Sequence, residues 1–176
     1  MQGQPMRVPF IISLLLSLSA CATISKEECL NDNWEEIGFR DGTNGRTSDY
    51  LQKHAKACSK TGVSPVQSLW EKGRQRGLPA YCVPAKAFSE GKKGNKLRPV
   101  CPASQMSALQ AANSNGLEFH ELTDDIEQAQ YKIDEIDRRV VAEDSSEARA
   151  FLLQESRTLS QWIRLLELKR SLIAAP

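Results

Sequence analysis

The C-terminal third of the chain carries the clearest hydrophobic pattern. Six apolar residues stand in a polar background at intervals of 4, 3, 4, 3 and 4 positions: Leu122, Ile126, Ala129, Ile133, Ile136 and Val140. This heptad spacing predicts an amphipathic helix of the coiled-coil type. We expect its first turn at Thr123 and the acidic pair that follows, because carboxylates are favoured at a helix N-terminus.

A second amphipathic run follows a polar break at residues 143–147. Its apolar positions are Leu152, Leu159, Trp162, Ile163, Leu166 and Ile173. The break contains a capping-box-like pair, Asp144 and Glu147, that would start the second helix. Two helices joined by about five residues fold back as an antiparallel hairpin. An isolated hairpin is thin, so we expect it to pack on the rest of the chain or on another chain.

The N-terminal half has a different pattern, in which an aromatic residue is followed by two glycines at intervals of three or four. It occurs three times: Trp34 with Gly38 and Gly42, Trp70 with Gly73 and Gly77, and Phe88 with Gly91 and Gly94. At helical spacing these residues share one stripe. Glycine costs about 1 kcal/mol relative to alanine inside a helix, so its repeated use predicts close backbone packing or helix ends with positive φ.

Local signals place two of the short helices. One is expected over residues 47–60, with Gly62 just beyond its end. The other is expected to begin at Ser64-Pro65, an N-cap followed by proline, and to end near Arg76 at Gly77. The predicted fold class is mainly α: a small module of short helices and glycine turns (21–104), followed by the helical hairpin (105–176).

Residues 1–20 have the composition of an export signal. One positive charge, Arg7, precedes an apolar run from Val8 to Leu18, which is too short to span a bilayer and suits a signal-peptide core. The run ends in Leu18-Ser19-Ala20-Cys21, which resembles the bacterial lipobox. That resemblance implies cleavage before Cys21, attachment of lipid, including palmitate-type acyl chains, to Cys21, and anchoring at a membrane. The alternative is an ordinary secreted protein cut after Ala20. Ala22 follows Cys21, and by resemblance to sorting rules a residue other than Asp there implies the outer membrane, on the periplasmic side.

The mature chain of 156 residues is formally neutral, with 22 basic and 22 acidic residues. Its two halves differ in charge. Residues 21–104 hold 14 Lys or Arg against 9 Asp or Glu, and residues 105–176 hold 8 against 13. Mutual attraction or solvation of the two halves accounts for this better than binding of the basic half to anionic lipid headgroups, because the excess is modest. Nucleic acid is not an expected partner.

With Cys21 assigned to lipid, four cysteines remain in an exported, oxidising compartment: Cys29, Cys58, Cys82 and Cys101. An even number there predicts two disulfides. The absence of a C-x-x-C pair disfavours a zinc knuckle or a thioredoxin-type site. Pairing Cys29 with Cys58 and Cys82 with Cys101 is favoured because each bond closes a local loop, although the crossed and nested pairings stay open.

The order of these motifs resembles a known family. The motifs are Trp34-x-x-x-Gly38-x-x-Asp41-Gly42, His54-x-x-x-Cys58, Gly73-x-x-x-Gly77-Leu78-x-x-Tyr81-Cys82 and Gly91-x-x-Gly94, followed by Val100-Cys101-Pro102. Together they resemble a family of proteobacterial lipoproteins classed as a domain of unknown function, over residues 21–105. The resemblance implies a small cysteine-bridged envelope domain and brings no catalytic residues with it.

Candidate chemistry in the chain is sparse. His54 and Cys58 share a helix face, but two histidines in the whole chain and an oxidised Cys58 leave too few ligands for a metal and no thiolate nucleophile. Asp41-Gly42-x-x-Gly45 lacks the strand and lysine of a phosphate loop, so a turn with positive φ is the better interpretation. Neither a cofactor nor a metal is predicted.

Three hypotheses for function remain. The first is a non-enzymatic accessory lipoprotein that binds an envelope protein, or a second copy of itself, through residues 122–173. The second is a binding module for a small envelope ligand or polysaccharide that uses Trp34, Trp70 and Tyr81, although core packing is the commoner fate of such aromatics. The third and least favoured is a redox or hydrolytic envelope enzyme.

Overall fold

The computed structural model describes residues 23–173. The leader and Cys21, to which the predictions of export and lipid attachment apply, lie outside this range. The described residues form a short 3-10 turn at Ser48–Tyr50 and seven α-helices: α1 (Lys26–Asn31), α2 (Trp34–Thr43), α3 (Leu51–Cys58), α4 (Gln67–Tyr81), α5 (Pro84–Gly91), α6 (Ala103–Ala142) and α7 (Ser146–Ser171). No strand occurs between residues 23 and 173. The prediction of a mainly α fold is therefore confirmed.

Helices α2 and α4 cross with their backbones in contact. A Cβ added to Gly38 would lie 1.9 Å from the carbonyl oxygen of Trp70, and one added to Gly73 would lie 1.9 Å from that of Glu35. Gly42 and Gly77 repeat the arrangement one turn later. The four glycines thus let two helices that run in the same direction approach more closely than any side chain allows. This confirms the close packing predicted from the spacing of the glycines.

A second glycine crossing joins α5 to α6. Gly91 faces the carbonyl oxygen of Asn113, and Gly116 faces that of Phe88, at 2.3 and 2.2 Å from an added Cβ. The Asn113 side chain is buried here, where it donates to the Ala87 and Asn95 carbonyls and accepts from the Leu97 amide. Because α6 contacts α5 through this crossing, the first part of the long helix packs on the disulfide-bridged module.

Several predicted helix boundaries were wrong. Helix α4 begins at Gln67 rather than at Pro65, and it continues through Gly77 to Tyr81, because Gly77 serves the crossing with α2 instead of a helix end. Helix α6 begins at Ala103, about 20 residues before the predicted first turn. Residues 103–121 lack an apolar heptad because part of their contact with α5 is made through Ala112, Asn113 and Gly116.

The hairpin of α6 and α7 is joined by residues 143–145. Leu122, Ile126, Ala129 and Ile136 of the predicted seam are buried, and the first three pack with Ile163 and Leu166 of α7. Lys169 of α7 pairs with Glu118 of α6 at 2.8 Å, so the helices are antiparallel, as predicted. The N-cap of α7 is Ser145, whose hydroxyl accepts from the Ala148 amide, rather than the predicted Asp144.

Two disulfides connect elements of the N-terminal module. Cys29 bonds to Cys58, which ties α1 to α3, and Cys82 bonds to Cys101, which ties the end of α4 to the segment before α6. The favoured pairing is therefore the one present. Within the described residues, no helix combines the length and hydrophobicity needed to cross a membrane.

Candidate functional site

Three buried polar side chains and the half-buried Thr23 form a hydrogen-bonded network beside the α2–α4 crossing. The Asp41 carboxylate oxygen Oδ2 is 2.6 Å from His54 Nε2 and accepts a second hydrogen bond from Trp70 Nε1 at 2.8 Å. The other ring nitrogen of His54, Nδ1, is 2.8 Å from the hydroxyl of Thr23. Because a carboxylate only accepts, Nε2 donates to Asp41, and in the neutral ring Nδ1 accepts from Thr23. Four residues from four segments are thus linked in one network.

The surrounding elements explain why this network forms. Asp41 lies on the inward stripe of α2, one turn after Gly38, and Trp70 approaches it because the glycine crossing brings α4 close. His54 is held on α3, whose last residue, Cys58, is bonded to Cys29. The Tyr50 ring meets the His54 ring edge-on at 5.1 Å between centroids. A buried polar group is costly unless it is hydrogen-bonded, so the pairing of Asp41 and His54 allows both to remain in the core.

The candidate pair His54 and Cys58 has a structural part in this arrangement. Cys58 is oxidised, and both ring nitrogens of His54 face protein partners. In the part of the chain that the structure describes, no three His, Cys, Asp or Glu side chains are grouped to hold a metal ion. The motif Asp41-Gly42-x-x-Gly45 is the predicted turn with positive φ only at its end. Asp41 and Gly42 are helical, and Gly45 alone has positive φ, at 64°.

The order Thr23–His54–Asp41 has a chemical implication. An imidazole between a carboxylate and a hydroxyl is the arrangement with which hydrolases activate a nucleophile. Here, however, the His54 side chain is 1% exposed, and the Thr23 hydroxyl stands between its Nδ1 and the protein surface. The adjoining chain is also fixed, because Ile24 packs in the core with Trp34 and Trp70, and Ser25 caps α1 through a capping box with Glu28. The network therefore fixes the N-terminal segment, from Thr23 onward, to the module.

An open cleft of about 440 Å³ lies where this segment meets the module. We name it the Thr23 cleft, and its lining is Thr23, Ile24, Ser25, Glu28, Arg40, Asp41, Asn44, Arg46 and Tyr50. The Ser25 amide and the Arg40 guanidinium hold the pKa of the Glu28 carboxyl below its ordinary value, so Glu28 and Arg40 neutralise each other. The Asp41 carboxylate accepts hydrogen bonds from His54 and Trp70. Within residues 23–173, no carboxylate lies within ion-pair distance of Arg46.

The three aromatics predicted as a possible ligand patch are instead in the core. Trp34, Trp70 and Tyr81 are 0, 1 and 2% exposed, and they belong to two separate clusters. The Tyr81 hydroxyl accepts from the Arg98 amide, and its ring closes over Gly45. They do not form a shared exposed surface, because each fills space between helices. The sequence stripe that carries Trp34 also carries Asp41, so the helical period was the signal that Asp41 would be buried.

Helix α7 carries an exposed seam beside its buried one. Its members repeat at intervals of 3 and 4 and are all exposed: Phe151, Gln154, Thr158, Gln161, Leu165, Leu168 and Leu172. We name this seam the α7 outer face. It contains no charged residue, and Leu165 and Leu172 are 59 and 75% exposed. Trp162 was predicted for the buried seam, but it is 52% exposed and borders the outer face, because the two seams are offset by one residue.

Comparison with known proteins gives one match. Residues 33–118 match the family model described as "Protein of unknown function (DUF2799)". The match contains both glycine crossings, Asp41, His54 and three of the four cysteines in disulfides, and it ends within α6 before the hairpin seam. The predicted resemblance to a domain of unknown function is thereby confirmed over these residues. Neither the curated proteins nor the solved structures gave a match.

Proposed function

We propose that the protein is a lipid-anchored bacterial envelope lipoprotein and a non-enzymatic accessory protein that binds another protein through the α7 outer face. The observation that carries this proposal is the uncharged, exposed heptad seam of α7. Its C-terminal part is apolar, with Leu165, Leu168 and Leu172 exposed and Trp162 beside them, and soluble proteins rarely leave such a patch exposed unless it binds something. An amphipathic helix laid along such a seam would bury both apolar faces. We infer that the occupant is a helix with a heptad seam of its own, from an envelope protein or a second copy of this chain.

The anchor is the second part of the proposal. Cys21 closes a lipobox-like sequence after an apolar core of signal-peptide length. Several acyl chains, at about 0.8 kcal/mol per buried methylene, hold a protein on a membrane durably, whereas a single chain does not. With Ala22 in the following position, we place the anchor in the outer membrane on its periplasmic side. The protein would then meet its partner in the periplasm.

Site-specific photo-crosslinking in intact cells tests the interaction. A photoreactive residue at Leu165 or Leu172 should trap one discrete partner or a homodimer, and mass spectrometry identifies which. The matched control is Glu167, which is exposed on the same helix but lies away from the outer face. No discrete product from either position, or the same products from Glu167, would overturn the interaction.

Metabolic labelling tests the anchor separately. Cells given radiolabelled palmitate should incorporate it into the wild-type chain and lose the label in Cys21→Ser. Fractionation of the membranes then decides between the outer and the inner membrane. A wild-type chain that matures without label would show the secreted alternative, with cleavage after Ala20, to be correct.

A further inference from the structure

We propose that the Thr23 cleft is the membrane-facing surface of the module, and that Arg46 binds the phosphate of an anionic lipid headgroup there. The position of the cleft rests on the proposed lipid anchor at Cys21. Its chemistry rests on the side chains that line it.

The length of the tether gives the first argument. Thr23 is hydrogen-bonded to His54, and Ile24 is buried, so the chain is fixed to the module from Thr23 onward. Cys21 lies two residues earlier, and two extended residues span at most about 7 Å. A lipid on Cys21 therefore cannot hold the Thr23 cleft far from the bilayer surface. The polar zone of each leaflet is itself on the order of 5 Å deep, so the cleft lies at headgroup height.

The charge of the cleft gives the second argument. Of the two carboxylates in its lining, Glu28 pairs with Arg40, and Asp41 is buried and accepts hydrogen bonds from His54 and Trp70. The Arg46 guanidinium lies over the Tyr50 ring, with its central carbon 4.3 Å from the ring centroid. A stacked guanidinium keeps its N–H donors in plane and available, and its planar fork matches the oxygens of a phosphate. The Arg46 guanidinium thus lies in the cleft without an ion-pair partner among residues 23–173.

The rigidity of the cleft gives the third argument. The loop that carries Arg46 is held by two other arginines. Arg74 donates to the Arg46 carbonyl at 3.1 Å, and Arg98 donates to the Asn44 carbonyl at 3.2 Å. No carboxylate in residues 23–173 pairs with Arg98 either, which adds positive charge beside the cleft. Arg46 is therefore held in place before a ligand arrives, which reduces the entropy lost on binding.

Flotation with vesicles tests the proposal on the mature chain, residues 21–176, with Cys21→Ser so that binding does not depend on lipid attachment. The chain should float with vesicles of phosphatidylglycerol and phosphatidylcholine and not with phosphatidylcholine alone. Arg46→Gln should weaken the binding about fivefold, the usual contribution of one arginine near an anionic surface. Arg157→Gln, on exposed α7, removes the same charge and should leave the binding unchanged. Arg46→Lys should restore only part of it, because an ammonium keeps the charge but lacks the planar fork.

The outcomes separate the possible errors. If the chain shows no preference for phosphatidylglycerol, or if Arg46→Gln and Arg157→Gln lose binding equally, the inference is wrong whatever palmitate labelling shows. If the chain binds millimolar inorganic phosphate in solution but does not float with the phosphatidylglycerol vesicles, free phosphate is the ligand and the headgroup assignment is wrong. Thermal unfolding of each variant shows whether lost binding reflects lost folding. Failure of palmitate labelling with intact vesicle binding would remove the anchor and leave the headgroup site.

Discussion

The two glycine-mediated crossings and the α6–α7 hairpin are built by opposite means. At the α2–α4 crossing the helices touch through backbone atoms, with a buried carboxylate, a buried histidine and a disulfide alongside. In the hairpin they touch through interlocking aliphatic side chains. A backbone contact has no adjustable atoms, whereas side chains can change rotamer and repack. The module should therefore be intolerant of small changes that the hairpin accepts.

The largest expected effect is that of one added methyl group at the crossing. In Gly38→Ala the new Cβ would lie 1.9 Å from the Trp70 carbonyl oxygen, so the helices must separate. We expect the free energy of unfolding to fall by about 4 kcal/mol, at the upper end for overpacking. Urea denaturation followed by circular dichroism measures it.

Gly62→Ala is the matched control for this substitution. Nothing lies within 4 Å of its added Cβ, but its φ of 74° is left-handed. It should cost only about 1–2 kcal/mol, the usual penalty for a residue with a Cβ in that region. Equal losses in the two variants would show that the crossing is looser than these distances imply.

Removal of the Cys29–Cys58 disulfide should have the next largest effect. The bond closes a loop of 29 residues, for which chain entropy gives a stabilisation of about 3–4 kcal/mol. The double variant Cys29→Ala, Cys58→Ala should lose this amount, and hydrogen exchange should accelerate in α1 to α4 before it does in α6 and α7. Exchange that accelerates equally in all helices would mean that the module and the hairpin unfold as one unit.

The buried network should be sensitive to the loss of a single charge. Asp41→Asn keeps the shape of the side chain, and its amide oxygen can still accept from both His54 and Trp70, which meet the same oxygen, Oδ2. The two hydrogen bonds lose their charge assistance, however, and because hydrogen bonds to charged groups are stronger than neutral ones we expect a loss of about 2 kcal/mol. Asp137→Asn, on the exposed side of α6, should change stability by less than about 0.5 kcal/mol. A similar small change for Asp41→Asn would mean that the charge of Asp41 adds nothing to these two hydrogen bonds.

The same contrast explains what the sequence could predict. The hairpin follows from heptad spacing because its contacts are made by large apolar side chains, which leave a period in the sequence. The stripe of Trp34, Gly38 and Gly42 was equally visible as spacing. Local loop lengths were enough to favour the disulfide pairing that the structure contains.

Other features had no local signal. Ile163 lies on the buried seam of α7 and its neighbour Trp162 borders the outer face, and only the position of α6 decides which seam is buried. A glycine at position 77 is typical of a helix end, but packing against Phe39 keeps Gly77 inside α4. The bond between Thr23 and His54 joins residues 31 apart, so no spacing could have revealed the network or the cleft beside it.

Removal of one methyl group from the hairpin seam should be well tolerated. Ile126→Val removes one carbon from a residue that is 4% exposed. The expected loss is about 1 kcal/mol, because neighbouring aliphatic side chains partly close the space. Measured by the same urea denaturation, the ratio of this loss to that of Gly38→Ala compares the two kinds of contact directly. A loss above about 3 kcal/mol would show that the hairpin is as rigid as the crossing.

The smallest effect is expected from acid, and it should act on the module. Lys72, and with it Arg76, holds the pKa of Glu35 below its ordinary value, and the backbone amide of Ser25 and the Arg40 side chain do the same for Glu28. A carboxyl whose pKa is lower in the folded chain contributes stability that is complete above the unfolded value of about 4.3. That contribution is lost as the pH falls through the lower folded value.

In α6 and α7 the group with a shifted pKa is Lys169, whose pKa Glu118 raises. The contribution of Lys169 to stability is therefore lost only in strong alkali. Hydrogen exchange compared at about pH 5 and about pH 3, on either side of the ordinary Glu pKa of about 4, should show that α2 and α4 are less protected at the lower pH. Glu35→Gln should reduce this dependence of protection on pH. Glu155→Gln on α7 should leave it unchanged, and an equal reduction by both variants would contradict the assignment to the crossing.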